Sequence, residues 1–293
     1  IGLLVPAVII FMKENMNTKV RGRKDLENLS IPFIGEIPQY LSAKKKLGFD
    51  KHTQSVMKAI VVKEGNRNII NEAFRVLRSN IDFMAGKDSG QNVFMLTSFN
   101  PGSGKSFLAM NIAMSFAIKK KRILVIDGDL RHGSTSSYVD SPKTGLSDYL
   151  GNRVSDWKEI IVKDEKYDNL HIIPIGTVPP NPTELLEDGK LATLIEVLRS
   201  EYDYIFIDCP PIDIVADAQI IEKLADRTVF VVRSGLLDRS MLPELENIYQ
   251  EKRFKNLSVI LNGTESAGGR YGYRYGYRNG YSSYYGNKGK MGG

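Results

Sequence analysis

Six short apolar runs, at 93–97, 123–126, 170–174, 204–207, 228–232 and 257–261, alternate with segments of helical pattern at roughly 105–120, 182–201, 216–225 and 239–253. The runs are rich in Val, Ile and Phe and nearly continuous, as strands buried on both faces are. Strand–helix alternation of this kind requires right-handed βαβ units, and these build an α/β fold with a doubly wound, mostly parallel sheet flanked by helices. Ligands of such sheets lie at the carboxyl ends of the strands. The chemistry-bearing residues fall there.

Ser98-Phe99-Asn100-Pro101-Gly102-Ser103-Gly104-Lys105-Ser106 stands between the first run and a helix. Gly104-Lys105-Ser106 fits the end of the phosphate-loop pattern G-x-x-x-x-G-K-[ST], although Phe99 occupies the place of its first glycine. Small residues let successive N–H groups converge on phosphate oxygens, and the helix start adds its positive dipole end. Lys105 would reach the β- and γ-phosphates, and the Ser106 hydroxyl would ligate Mg²⁺. The bland alternative is a glycine turn with an incidental lysine. Two further runs end in aspartates, Asp127-Gly128-Asp129 and Asp208-Cys209-Pro210-Pro211, at the same sheet edge. Hard oxygen ligands suit Mg²⁺, with water and phosphate completing its shell. A single aspartate after a strand is more often a cap or turn former; three in this order point to a P-loop NTPase-like site. Cys209, the sole cysteine, excludes a disulfide framework and reads as packing beside that site.

Charge separates the core from its flanks. The net charge of +6 divides into +6 over 13–63, −4 over 64–263 and +4 over 264–293, so a broad nucleic-acid-binding core is excluded. The chain begins with twelve uncharged, mostly apolar residues followed by Lys13, Lys19, Arg21, Arg23 and Lys24. Charges after the apolar run read as the cytoplasmic end of a transmembrane helix, with a buried helix or strand as the alternative. Residues 1–30 are therefore expected to be a helix end with a basic juxtamembrane segment, and 31–63 a linker carrying Ile31–Pro38 and Lys44-Lys45-Lys46. Residues 64–263 are expected to be the catalytic domain.

Residues 264–293 form a flexible tail holding seven of the 14 tyrosines: Tyr271, Tyr273, Tyr275, Tyr277, Tyr281, Tyr284 and Tyr285. With almost no aliphatic residues it cannot bury a core. Stacking on single-stranded nucleic acid, a solubility role and phosphoacceptor duty all remain open from the tail alone.

Taken together these motifs resemble the cytoplasmic domain of bacterial tyrosine kinases of the Wzc/CapB type, which attach to polysaccharide co-polymerases governing capsule and exopolysaccharide export. The resemblance rests on Ile31–Pro38, on Ser98–Ser106 with its missing first glycine, on Asp127-x-Asp129-x-Arg131 as an extra Walker A′ motif and on Asp208-Cys209-Pro210-Pro211 as Walker B. It extends to Gly145–Leu150, to Asn181-Pro182-x-Glu184-Leu185-Leu186 and to the tyrosine cluster. It implies an ATP- and Mg²⁺-dependent tyrosine autokinase, anchored in the bacterial inner membrane with the kinase domain in the cytoplasm. Its partners would be the polysaccharide polymerisation and export machinery and a protein-tyrosine phosphatase. The resemblance assigns Lys105, Asp127, Asp129 and Asp208 to catalysis, with Asp127 the base or orienter, and Ser106, Asp129 and Asp208 to the metal. The nucleotide falls to Pro101, Gly102, Ser103, Gly104, Lys105, Ser106, Phe107, Arg131 and Asn262. An asparagine ending a strand, as Asn262 does, is otherwise a turn residue. MinD/ParA-type ATPase switches share the fold, but their signature lysine is replaced here by Asn100. A regulatory tyrosine found in some kinases after the A′ motif is replaced by Ser134.

In the helix expected near 68–86, Ile70, Phe74, Leu77, Ile81 and Met84 form one buried stripe. Glu72, Arg75 and Arg78 form another row. They are a solvated charged face or, as the resemblance implies, the E-x-x-R-x-x-R contact that closes a ring and presents one tail to the next active site.

Overall fold

The computed structural model describes residues 18–40, 59–86, 90–212 and 216–265. All six apolar runs are strands: β2 (Val93–Thr97), β3 (Ile123–Asp127), β5 (Leu170–Ile173), β6 (Tyr204–Asp208), β7 (Arg227–Arg233) and β8 (Ser258–Thr264). Two more, β1 (Phe33–Pro38) and β4 (Val162–Lys163), lie at the edges of a sheet ordered β1-β8-β7-β2-β6-β3-β5-β4. Every pairing is parallel except β4 with β5. The central strands β2, β3 and β6 are buried throughout, which accounts for their unbroken hydrophobicity.

Helix α1 (Ile69–Ala85) starts at Asn68, whose side chain accepts the Asn71 N–H at 3.0 Å. Its stripe of Ile70, Phe74, Leu77 and Ile81 is buried, with Met84 at the margin. Helix α2 (Lys105–Ala117) is buried from Phe107 to Ala117, sandwiched between the sheet and α1, so an apolar surface all round suits it. These two helices cover one sheet face. The other face carries α3 (Leu146–Leu150), α4 (Pro182–Glu187), α5 (Lys190–Glu201), α6 (Asp217–Glu222) and α7 (Leu242–Gln250). The single helix expected over 182–201 is broken at Gly189, whose φ of +81° no helix accommodates. The segment 239–253 is shortened to α7 after a 3₁₀ turn at Arg239–Met241.

The expected boundaries at the start of the chain need correction. Part of the anticipated linker, Phe33–Pro38, is the edge strand β1, its prolines tolerated because only one neighbour pairs with it. Ile34 and Ile37 are buried there, and Asn80 of α1 donates to the Ile34 carbonyl at 2.8 Å. The basic segment before it is docked as well. The Val20 N–H donates to the Leu237 carbonyl, the Gly235 N–H donates to the Val20 carbonyl, and Arg239 pairs with Asp25. Val20, Leu26 and Ile31 sit in the core. The described residues 18–40 are therefore packed into the same unit as those after 64. Among the described residues no helix is long and apolar enough to cross a membrane; the apolar start, Lys44–Lys46 and the tyrosine cluster lie outside those residues.

Candidate active site

The carboxyl end of β2 leads into the phosphate loop and α2. Gly102 and Gly104 have φ of +74° and +88°, a left-handed conformation costly for residues with a Cβ. A Cβ on Gly104 would also collide with Asn262 Nδ2. Because glycine caps α2 without a side-chain hydrogen bond, the first N–H groups of the helix remain open to an anion. Ser98 Oγ and Ser103 Oγ both donate to the Asn100 carbonyl, at 2.8 and 2.7 Å, and shape the loop from within. Phe99 turns its ring inward onto Phe230, with centroids 4.9 Å apart. That packing explains how the loop dispenses with its first glycine.

Lys105 opens the helix, its Nζ 3.3 Å from Ser98 Oγ. Phe107 packs its ring edge-on against Phe74, leaving only its backbone N–H for a phosphate. Asn262, the expected adenine contact, lies beside the loop. It is buried, and its amide donates to the Ser103 carbonyl at 2.9 Å, so it braces the loop from β8.

Asp127 and Asp208 stand opposite one another at the ends of adjacent parallel strands. Asp208 Oδ2 accepts from Ser106 Oγ at 2.5 Å and from Thr135 Oγ1 at 2.8 Å. Asp127 Oδ2 accepts from the Ser136 N–H at 2.6 Å and from Ser136 Oγ at 2.7 Å. Ser136 Oγ is itself fixed by the Ile175 N–H at 2.8 Å. The remaining oxygen of each, Oδ1, is buried and without a hydrogen-bond partner. Burial first, and the neighbouring Asp208 charge second, push Asp127 up to about 8, against the hydrogen bonds from Ser136. Burial likewise raises Asp208, opposed by Lys105 and by the Ser106 and Thr135 hydroxyls.

Two adjacent buried carboxylates with orphaned oxygens are unfavourable unless protonated or met by a cation. This is the observation that tests Mg²⁺, and the residues fit it. Among the described residues no three acidic, His or Cys side chains form an all-protein metal cage. Mg²⁺ does not need one, since it keeps waters and takes one or two carboxylates plus phosphate.

Asp129 is placed beside this pair but is occupied locally. Its Oδ1 accepts the Arg131 and His132 N–H groups, and both its oxygens lie 3.2 Å from His132 Nδ1. Arg131 is held by two neighbouring helices. Its Nε donates to the buried Asp217 at 3.0 Å and its Nη2 to Thr183 Oγ1 at 3.0 Å, joining α4 and α6 at the mouth of the site. Cys209 is fully buried, and burial raises its thiol well above the ordinary value, so it packs and does not react. Arg75 pairs with Glu72 and donates to the Asn66 carbonyl, while Arg78 donates to the Ser115 carbonyl at 2.9 Å. Thr135 and Ser136 went unnoticed in the sequence because no spacing rule ties them to aspartates eight or more residues away.

A family model described as an AAA domain matches residues 91–236. The chain is 34% identical to the tyrosine-protein kinase YwqD of Bacillus subtilis over 210 residues, 71% of this chain and 87% of that one. It is 34% identical to the tyrosine-protein kinase CpsD of Streptococcus agalactiae over 203 residues, 69% of this chain and 86% of that one. A Klebsiella pneumoniae relative, named as a tyrosine-protein kinase in the cps region, is 32% identical over 93% of this chain, which spans only 38% of that protein. Among solved structures, the kinase domain of Escherichia coli tyrosine kinase ETK superposes with a TM-score of 0.73 at 27% identity, covering 89% of this chain and all of that one. The chimerical protein CapA2B2 superposes at 0.70 with 30% identity, covering 83% and 100%. With its phosphate loop, its two strand-end aspartates and near-full coverage of the shorter relatives, the chain belongs to the bacterial tyrosine-protein kinase family.

Proposed function

We propose that the chain is an ATP- and Mg²⁺-dependent tyrosine autokinase that phosphorylates its own C-terminal tyrosine cluster in trans, within a ring of copies. The cluster is Tyr271, Tyr273, Tyr275, Tyr277, Tyr281, Tyr284 and Tyr285. The observation that carries the reading is the orphaned Oδ1 of Asp127 beside a loop built for phosphates. Asp127 Oδ1 takes the phenol proton as the tyrosine oxygen bonds to the γ-phosphorus. The bond from that phosphorus to its bridging oxygen breaks, and ADP leaves. A base raised to about 8 is better matched to a phenol than an ordinary carboxylate is. Lys105 and the first N–H groups of α2 hold the phosphates in line, and positioning of this kind does most of the work in phosphoryl transfer. Ser106, Asp208 and, through water, Asp129 would hold Mg²⁺, which supplies neutralisation of phosphate charge when bound. Membership of this family supports a place at the inner membrane, beside capsule or exopolysaccharide machinery and a reversing phosphatase.

Incubation with ATP and Mg²⁺, followed by mass mapping of the tail peptides, is expected to find phosphotyrosine within the cluster. ATP hydrolysis that leaves no phosphotyrosine would favour a MinD/ParA-like ATPase switch instead.

The ring has its own test. Among the described residues Arg75 is held by Glu72 and the Asn66 carbonyl, whereas Arg78 braces the end of α2. Replacing both by Ala is expected to give monomers by light scattering and slow tail labelling at low protein concentration. An unchanged mass returns Glu72, Arg75 and Arg78 to a solvated face. Arg75→Ala alone separates that outcome from damage at α2.

A further inference from the structure

Lys105, Ser106 and the paired aspartates lie at the helix start and on the β6–β3 side of the phosphate loop. A nucleotide whose terminal phosphate meets them must carry its nucleoside end the other way, over the carboxyl ends of β7 and β8. Arg233 is there, the last residue of β7 and in register with Asn262 of β8. Its guanidinium lies flat against Gly263. A Cβ on that glycine would sit 3.2 Å from Cζ, 3.4 Å from Nε and 3.5 Å from Nη1, nearly equidistant from three atoms of the plane. The edge carrying Nη1 approaches Gly104 of the loop, 3.5 Å from where a Cβ would stand. One guanidinium face is therefore covered by a glycine, and the other faces away from it.

The group is also unusual in its bonding. Arg78, Arg199 and Arg227 are similarly removed from solvent, and each donates to an oxygen. Arg233 is at least as buried, enough for desolvation to lower its pKa, yet makes no side-chain hydrogen bond or ion pair among the described residues. A half-buried guanidinium without a partner loses hydration for no return. Planar guanidinium stacks readily on aromatic faces. We propose that Arg233 is the platform for the nucleotide base, its uncovered face stacking on the purine while Gly263 supports it from beneath. The proposal rests on the nucleotide-binding reading above and adds a contact for the base beside Asn262, whose amide also donates to the Ser103 carbonyl.

Calorimetric titration of the full chain with Mg²⁺–ADP and, separately, with Mg²⁺–tripolyphosphate tests it in three proteins: wild type, Arg233→Met and Arg233→Lys. Both variants are expected to bind ADP about tenfold more weakly, as loss of a desolvated cation–π contact implies. Tripolyphosphate, which has no base, is expected to bind Arg233→Lys within about twofold of wild type, since the charge is retained and stacking on a base is sequence-tolerant but base-dependent. Unchanged ADP affinity, full rescue by lysine, or a parallel loss for both ligands would each overturn the platform role. Failure of the wild type to bind ADP would sink the nucleotide reading itself, and the platform with it. Should Arg233→Met not fold, the lysine variant alone decides.

Discussion

Lys105→Met is expected to abolish tail phosphotyrosine while leaving the melting transition unchanged. Among the described residues the Lys105 side chain makes one hydrogen bond, to Ser98 Oγ at 3.3 Å, so methionine removes little that holds the fold. What it removes is the cation that faces the phosphates and the buried carboxylates. Loss of one preorganised charge-stabilising group costs roughly 10²–10³ in rate, and a tail-labelling assay at fixed ATP should fall by at least that factor. Binding of ADP should weaken as well, because the same ammonium opposes phosphate charge before any chemistry. One secondary effect is expected. Without Lys105 the Asp208 carboxyl loses its main charge-based opposition to protonation, so its pKa rises further. Undiminished phosphotyrosine in the purified variant would remove Lys105 from the mechanism and leave the loop as a structural turn.

Much of this architecture was legible because the forces that made it act over short stretches of chain. Unbroken apolar runs can satisfy their side chains only when covered on both faces, so β2, β3 and β6 announced themselves. The loop, Asp127 and Asp208 were readable because topology alone puts every βα turn at one sheet edge. The parts that escaped depend on distant partners. β1 resembled a linker because its prolines and Gly35 suppress strand propensity; β8 and the Leu77 side chain beneath Gly35 supply what the segment lacks. The docked stretch from Thr18 to Ile31 is charged enough to read as a solvated flank, yet of its four apolar residues Val20, Leu26 and Ile31 are buried and Leu29 is partly so. Within the site, a sequence shows the Asn262 amide but not the Ser103 carbonyl that takes one of its donors. Nor does it show that Arg131 bonds to Asp217 and Thr183, on helices far along the chain. Local chemistry is written in local sequence; what a side chain is already doing is not.

The buried aspartate pair predicts that function and stability pull in opposite directions at Asp127. Its folded pKa of about 8 lies above the ordinary carboxylate value of 3.8, so between those limits the folded chain holds a proton that the unfolded chain has lost. Stability from that proton is fully present below about pH 4 and is lost as pH rises through about 8, with a ceiling of about 1.4 kcal/mol per pH unit for one proton. Nucleotide-free wild type is therefore expected to melt lower at pH 8 than at pH 5. Asp127→Asn should flatten that fall. Its carbonyl oxygen can keep both Ser136 donors, and its amide takes the place of the orphaned Oδ1, where a donor beside Asp208 is favourable. At pH 8 the variant should melt a few degrees above wild type, as a gain of about 1 kcal/mol implies for a domain of this size. The same change deletes the base, and labelling should drop by about 10²–10⁴-fold. Ser136→Ala supplies the graded companion. It removes one of the two hydrogen bonds that restrain Asp127 from rising further, so the acidic limb of the labelling–pH profile should move to higher pH while activity well above that limb is retained. A variant Asp127→Asn that melts below wild type at pH 8, together with an unmoved acidic limb in Ser136→Ala, would mean that Asp127 is already ionised in the resting protein. In that case neither the fall in stability nor the acidic limb belongs to a proton on Asp127, although the carboxylate could still take the phenol proton.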